Sequence, residues 1–258
     1  MWQFLAARSS LVYHEISIDR ANQKGSFSMT IKLYSASVCP FAHRTRLTLL
    51  EKGLDFQLIE IDLNNKPDWF SEISPYGKVP VIKHDNNCIW ESAIINEYID
   101  EAFPDISLMP KTASDRAFAR IWIDFANTKL VPVFYKMLLE QDPEKQTKWK
   151  NQFREHLNFM ETEGMRKLSE NGDYWLGDRL SLVDLTFYPW FERFCILEHY
   201  RSVFLPKTCS FLQHWWRTMS ERDSVQNIKN ASEFYIAQYQ KYANNTVNSV
   251  TAQEMRDN

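Results

Sequence analysis

The sequence lacks the features that would mark most specialised classes of protein. Its 258 residues include only four cysteines, Cys39, Cys88, Cys195 and Cys209. None forms a CxxC pair and none shows zinc-finger spacing, which excludes a disulfide scaffold and points to a reduced, cytoplasmic setting. The histidines His14, His84, His199 and His214 have no metal-like spacing, and no metal is expected. No apolar run reaches the roughly 18 residues of a membrane helix. Lys and Arg (30) are scattered among Asp and Glu (33), with no basic block, so no nucleic-acid or membrane partner is expected. There is no glycine-rich phosphate loop and no Ser-His-Asp arrangement. The start of the chain carries Arg8 only after its short apolar stretch, a poor secretory signal, and Glu15 and Asp19 argue against a mitochondrial presequence.

What is present describes a globular protein of two parts. Hydrophobic residues make up 44% and charged residues 24%, ordinary values for a chain that buries a core. After an N-terminal extension, residues 1–28, a strand is expected from Thr30 to Tyr34. A helix follows over SVCPFAHRTRLTLLEKG, with Pro40 in its first turn and Gly53 at its C-terminal end. FQLIEIDL from Phe56 alternates as a strand, NKPDWFSEIS suits a short helix, and SPYGK is a turn. VPVIKHD and NNCIWES read as a hairpin. The apolar stripe Ile94, Ile95, Tyr98, Ile99 and Ala102 marks a further helix. The order β-α-β-α-β-β-α makes a compact α/β layer over residues 29–105. FPDISLMPKT is a linker. Beyond it the patterns are helical over 113–140, 145–170, 182–198, 208–221 and 228–242, giving an all-α domain over 112–243. The polar segment 244–258 is expected to be a disordered tail.

Cys39 is the residue with chemistry. It stands where a strand ends and a helix begins, so its sulfur lies near free N–H groups and the positive end of the helix dipole, which favour a thiolate. His43, Arg44 and Arg46 add positive charge nearby. Position 42 is Ala, so a second thiol is missing from the motif and a resolving thiol must come from elsewhere, naturally a small molecule. Ser181-Leu182-Val183-Asp184 has the form of a helix capping box and is read as structural.

SVCPFAHRTRLTLLEKG, DLNNKPDWF, PYGKVPV and ESAIINEYIDEAFP, in this order and spacing, resemble the thioredoxin-like domain of the omega-class glutathione transferases, and YPWFERF resembles their helical domain. The resemblance spans about residues 30–240. It implies the two-domain transferase architecture, with a thioredoxin-like α/β domain followed by an all-α domain. It implies glutathione as co-substrate, a homodimer, and a catalytic Cys39 that forms a mixed disulfide. It further implies that Val79–Pro80 is the family's cis-proline, with the backbone of Val79 pairing with the cysteinyl part of glutathione. Ser92 would hold the γ-glutamyl carboxylate at a helix start, Glu91 the ammonium and Lys66 the glycyl carboxylate, with Phe41 beside the thiolate. Trp190, Arg193, Phe234 and Tyr235 would line the pocket for a second substrate. The implied activity is thiol transfer or reduction of small disulfides, dehydroascorbate or glutathionylated aromatic ketones. The CP-aromatic-AHR string is also similar to glutathionyl-hydroquinone reductases and to the plant lambda class. The starvation-protein and chloride-intracellular-channel families share this architecture and act by binding, so a non-enzymatic role is the alternative.

Overall fold

A computed structural model describes residues 31–257. The expected extension over 1–28 lies outside these residues. Strand β1 (Ile31–Ser35) leads into helix α1 (Pro40–Glu51), followed by β2 (Phe56–Glu60), the short α2 (Phe70–Ile73), β3 (Val81–His84), β4 (Asn87–Trp90) and α3 (Ser92–Ala102). The four strands form one mixed sheet in the order β2-β1-β3-β4. β1 runs parallel to β2 and antiparallel to β3, and β3 and β4 are antiparallel. Successive side chains of β1 point to opposite faces. Ile31 and Leu33 join Leu49, Ile82, Ile95 and Ile99 on one side. Tyr34 joins Ala42, Ile61, Phe70, Val79 and Val81 on the other. This is the thioredoxin-like arrangement that the motif order implied.

The linker is pinned rather than loose. Asp100 accepts Leu108 N–H at 2.6 Å and Met109 N–H at 3.1 Å, and pairs with buried Lys52 at 2.9 Å. Helix α4 (Ala113–Phe125) then starts at Thr112, whose side chain caps Asp115 N–H at 3.1 Å. It runs through a π-helical turn, Ala126–Leu130, into α5 (Val131–Leu139). Helix α6 (Pro143–Phe159) passes likewise through a π turn, Met160–Met165, into α7 (Arg166–Leu168). Next come α8 (Leu182–Glu192), α9 (Phe194–Arg201), α10 (Ser210–Ser220), α11 (Asp223–Gln226) and α12 (Ser232–Ala243). The Ser181–Asp184 box is formed, and buried Asp184 also accepts Trp175 N–H and Trp215 Nε1–H, each at 2.8 Å. It therefore fastens α8 and α10 together.

The structure departs from expectation at the C-terminus. Residues 250–257 form an eight-residue helix, α13 (Val250–Asp257), where a disordered tail was expected. Ser249 caps it, accepting Ala252 N–H at 3.2 Å, and Ala252 is fully buried in the core of the helical domain. Polar composition hid the helix because only a few of its residues face the core.

Candidate functional site

Cys39 is the N-cap of α1, with φ −78° and ψ 119°, and Pro40 occupies the first helical position. His43 N–H bonds to Cys39 O at 3.0 Å, starting the helix immediately beneath the sulfur. The preceding loop is gripped by two buried arginines. Arg46 donates to Ser35 Oγ, Ala36 O and Ser37 O, each at 3.3 Å. Arg193 donates to Val38 O at 3.1 Å and to Pro189 O at 2.9 Å. Tyr239 OH adds a second, longer contact to Val38 O at 3.4 Å. Every carbonyl from Ala36 to Val38 is thus held, which fixes where the thiol emerges.

On the opposite wall, Ser74 organises the turn before β3. Its Oγ donates to Lys78 O at 2.7 Å and accepts Lys78 N–H at 2.9 Å, while Gly77 takes φ +63°. The Val79–Pro80 peptide that follows is cis. Val79 O faces the thiol, 3.7 Å from Cys39 Sγ. Glu91, at the start of α3, adopts φ +70° and ψ 112°, an unusual conformation for a residue with a side chain and one that clusters at ligand clamps. Ser92 is buried, and its Oγ lies 3.3 Å from Arg44 Nη1. Arg44 also donates to Thr186 O at 2.9 Å and to Asn127 Oδ1 at 2.8 Å. Asn127 belongs to the first π turn, whose extra residue turns it toward Arg44.

One cavity of about 120 Å³ gathers Cys39, Phe41, Lys66, Val79, Pro80, Glu91 and Ser92. These are all seven residues to which the motifs assigned thiol chemistry or glutathione binding. Lys78, Tyr76 and Trp90 line the same space, and α13 closes it with Thr251, Glu254 and Met255. The four residues expected to line a second-substrate pocket lie elsewhere. Trp190 is 2% exposed, stacked edge-on against Phe41 at 5.0 Å and covered by the Arg44 guanidinium at 4.3 Å. Arg193 and Tyr235 are fully buried, the guanidinium lying 4.3 Å over the tyrosine ring. Phe234 is half-buried against the helical core. Helix α8 packs directly on α1, so its YPWFERF side chains serve the interior rather than the cleft.

The electrostatics also differ from expectation. Burial pushes the Cys39 thiol up, and the Ala42 and Phe41 N–H groups, Arg193 and Arg46 only partly offset it. The helix start acts in the expected direction but does not outweigh the burial, and the thiol points at Val79 O. Burial and the neighbouring Arg193 and Arg46 hold His43 well below its usual range. It is a neutral imidazole whose Nδ1 accepts from Arg193 at 3.2 Å. Sequence reasoning noted the charge of Arg44 and Arg46 but missed their structural use. It missed Asn127, Lys78 and α13 altogether. Among the described residues no group of side chains could hold a metal ion, and no helix is long and apolar enough to cross a membrane.

Residues 38–102 match the family described as Glutathione S-transferase, N-terminal domain, and residues 116–216 match Glutathione S-transferase, C-terminal domain. The chain belongs to the glutathione S-transferase family. It is 35% identical to glutathione S-transferase omega-1 of Sus scrofa over 169 residues, which span 65% of this chain and 68% of the relative. Among solved structures, glutathione transferase Omega 3C of Trametes versicolor superposes with a TM-score of 0.74 at 31% identity, covering 83% of this chain and 91% of that one. Rice GST1, solved in complex with glutathione, gives a TM-score of 0.73 at 29% identity over 81% of this chain and 94% of that one. The omega-class resemblance read from the motifs agrees with these relatives. Both transferase domains are present in this family member, and its thiol sits at the start of the first helix of the thioredoxin-like domain.

Proposed function

We propose that this protein is a glutathione-dependent thiol transferase acting through a mixed disulfide on Cys39. The observation that carries the reading is the convergence of Cys39, the Val79 carbonyl, Ser92, Glu91 and Lys66 on one pocket. Glutathione would lie along the Val79 edge. Its γ-glutamyl end would sit at the start of α3, between Ser92 and Glu91, and its glycyl carboxylate near Lys66. The Cys39 thiolate attacks the glutathione sulfur of a mixed disulfide RS–SG, forming Cys39–S–SG and expelling RS⁻, which takes up a proton. A second glutathione thiolate then attacks the glutathione sulfur of the adduct, forming oxidised glutathione and returning the Cys39 thiolate. The sum is RSSG plus GSH giving RSH plus GSSG. Ala42 supports a reaction that resolves through the small thiol, since no second cysteine stands in the motif. Small disulfides, dehydroascorbate and glutathionylated aromatic ketones are the substrate classes. The reading includes a cytoplasmic homodimer; a monomer in sedimentation at micromolar concentration would remove the dimer from it.

The test is intact mass after incubation with oxidised glutathione, followed by thiol-transferase assays of four cysteine variants. One glutathionyl adduct is expected on the wild type and none on Cys39→Ala, which should also lose activity. Cys88→Ala, Cys195→Ala and Cys209→Ala should retain most of it. Full activity in Cys39→Ala would overturn the mechanism.

A further inference from the structure

Helix α13 lies across the pocket that the proposed reaction needs. It lines the same cavity as Cys39 and brings a carboxylate with it: both oxygens of Glu254 meet Lys78 Nζ, at 2.6 and 2.7 Å. Lys78 sits immediately before Val79–Pro80, on the wall where a bound peptide would pair. The space left beneath α13 is about 120 Å³, against the roughly 300–1,000 Å³ of clefts that take small molecules. A tripeptide with two carboxylates and an ammonium does not fit there while α13 stays in place. The helix rests on the helical core through Ala252 and Met255, and polar contacts near the surface add to this. Beyond the Lys78 pair these are Tyr242 OH with Ser249 Oγ at 3.0 Å, and Arg256 with Asn245 Oδ1 at 2.9 Å and Val247 O at 2.7 Å. Among its described residues Ala252 alone is fully buried. Segments with few buried apolar contacts open at small cost.

We propose that α13 is a displaceable plug, latched over the pocket by the Glu254 carboxylate on Lys78, so that glutathione enters only when the helix leaves. The inference rests on the glutathione reading of the pocket and adds to it a self-competition. The apparent affinity for glutathione is the intrinsic affinity reduced by the fraction of molecules with α13 open. The same opening rewets Cys39, so access to the thiol and access to the glutathione site rise together.

Two measurements on the full chain test this. The first is hydrogen exchange at the amides of residues 250–256, with and without saturating S-methylglutathione, which carries both carboxylates but no free thiol. Exchange should become faster on binding; slower exchange would mean that α13 covers a bound ligand, and would overturn the plug. The second is Glu254→Gln, a change at a half-exposed position that should not disturb folding. A half-exposed ion pair shifts such an equilibrium by at most about fivefold. The variant should bind S-methylglutathione up to about fivefold more tightly, and its Cys39 should react with iodoacetamide faster by a similar factor without ligand. Unchanged alkylation and unchanged or weaker binding would overturn the plug while leaving wild-type glutathione binding intact. Faster alkylation in a protein that binds no S-methylglutathione would support the plug and overturn the glutathione reading instead.

Discussion

Replacing Arg193 by Met should separate the structural and chemical duties of a single buried cation. The guanidinium donates to Val38 O at 3.1 Å, to Pro189 O at 2.9 Å and to His43 Nδ1 at 3.2 Å, and it is fully buried. Methionine fills most of the volume but leaves these acceptors short of a donor. Val38 O keeps only the 3.4 Å contact from Tyr239. Each buried acceptor stranded in this way costs about 1–3 kcal/mol. Part of that is returned, because a desolvated charge is removed as well. A net loss of about 2–4 kcal/mol is expected. For a chain of this size each kcal/mol is worth about 2–4 °C in Tm, so the melting point should fall by roughly 5–15 °C. The chemical consequence has a definite sign. Arg193 is one of the cations that lower the Cys39 thiol against its burial. Without it the midpoint of the pH profile for Cys39 alkylation should move up, and the rate at neutral pH should fall. Arg193→Lys keeps the charge but not the planar fork, so it should recover much of the pH midpoint while recovering less of the Tm. Differential scanning calorimetry and iodoacetamide rates between pH 6 and 10 provide the two readouts. A lowered Tm with an unmoved pH midpoint would show that Arg193 acts on the fold alone.

Two further outcomes follow from the same geometry. His43 is held neutral by burial and by Arg193 and Arg46, with its folded value well below an ordinary histidine, so the unfolded chain binds the extra proton first. Stability should be full above about pH 6.5 and should decline as the pH falls below it; the wild-type denaturant midpoint should be lower at pH 5 than at pH 7.5 and that of His43→Asn should differ less, whereas an equal drop in both would show that the proton is taken up elsewhere. For glutathione binding measured by calorimetry, Ser92→Ala and Glu91→Ala should each weaken affinity roughly ten- to a hundredfold. Lys66→Ala should do less, since a partly solvated pair contributes about 0–1 kcal/mol. Unchanged affinity in both Ser92→Ala and Glu91→Ala would mean that glutathione is held elsewhere.

Much of the fold was legible because its signals are local. Proline at the start of α1, the alternation of β2, the turn residues around Asp85 and the stripe of α3 each follow from short-range chemistry, and together they dictate the β-α-β-α-β-β-α order. The π turns were not legible: an i→i+5 bond leaves no compositional mark, and ANTKL and METEGM read as ordinary helix. Helix α13 was missed because VTAQEMRD buries so little of itself that its polar face dominates the pattern. The seven pocket residues were found because each belongs to a contiguous motif. Trp190 and Arg193 were placed in a cleft because a motif names residues but not the direction in which a helix turns them. In this chain α8 turns Trp190 onto Phe41 of α1, and Arg193, just past its end, reaches Val38 in the loop before α1.

Arg44 has a consequence for how the molecule moves. From α1 it reaches Ser92 in the thioredoxin-like domain, Asn127 in the first π turn and Thr186 in α8. Glu51, at the far end of the same helix, takes a two-pronged contact from Arg222, both distances 2.6 Å. The two domains are therefore riveted at both ends of α1. A hinge between them would have to break buried charged hydrogen bonds and would drag Ser92 off its mark as it opened. Such a body does not gape to admit a substrate. It keeps its seam fixed, so, among the described residues, substitutions that alter traffic through the pocket are to be sought in the C-terminal segment and not between the domains.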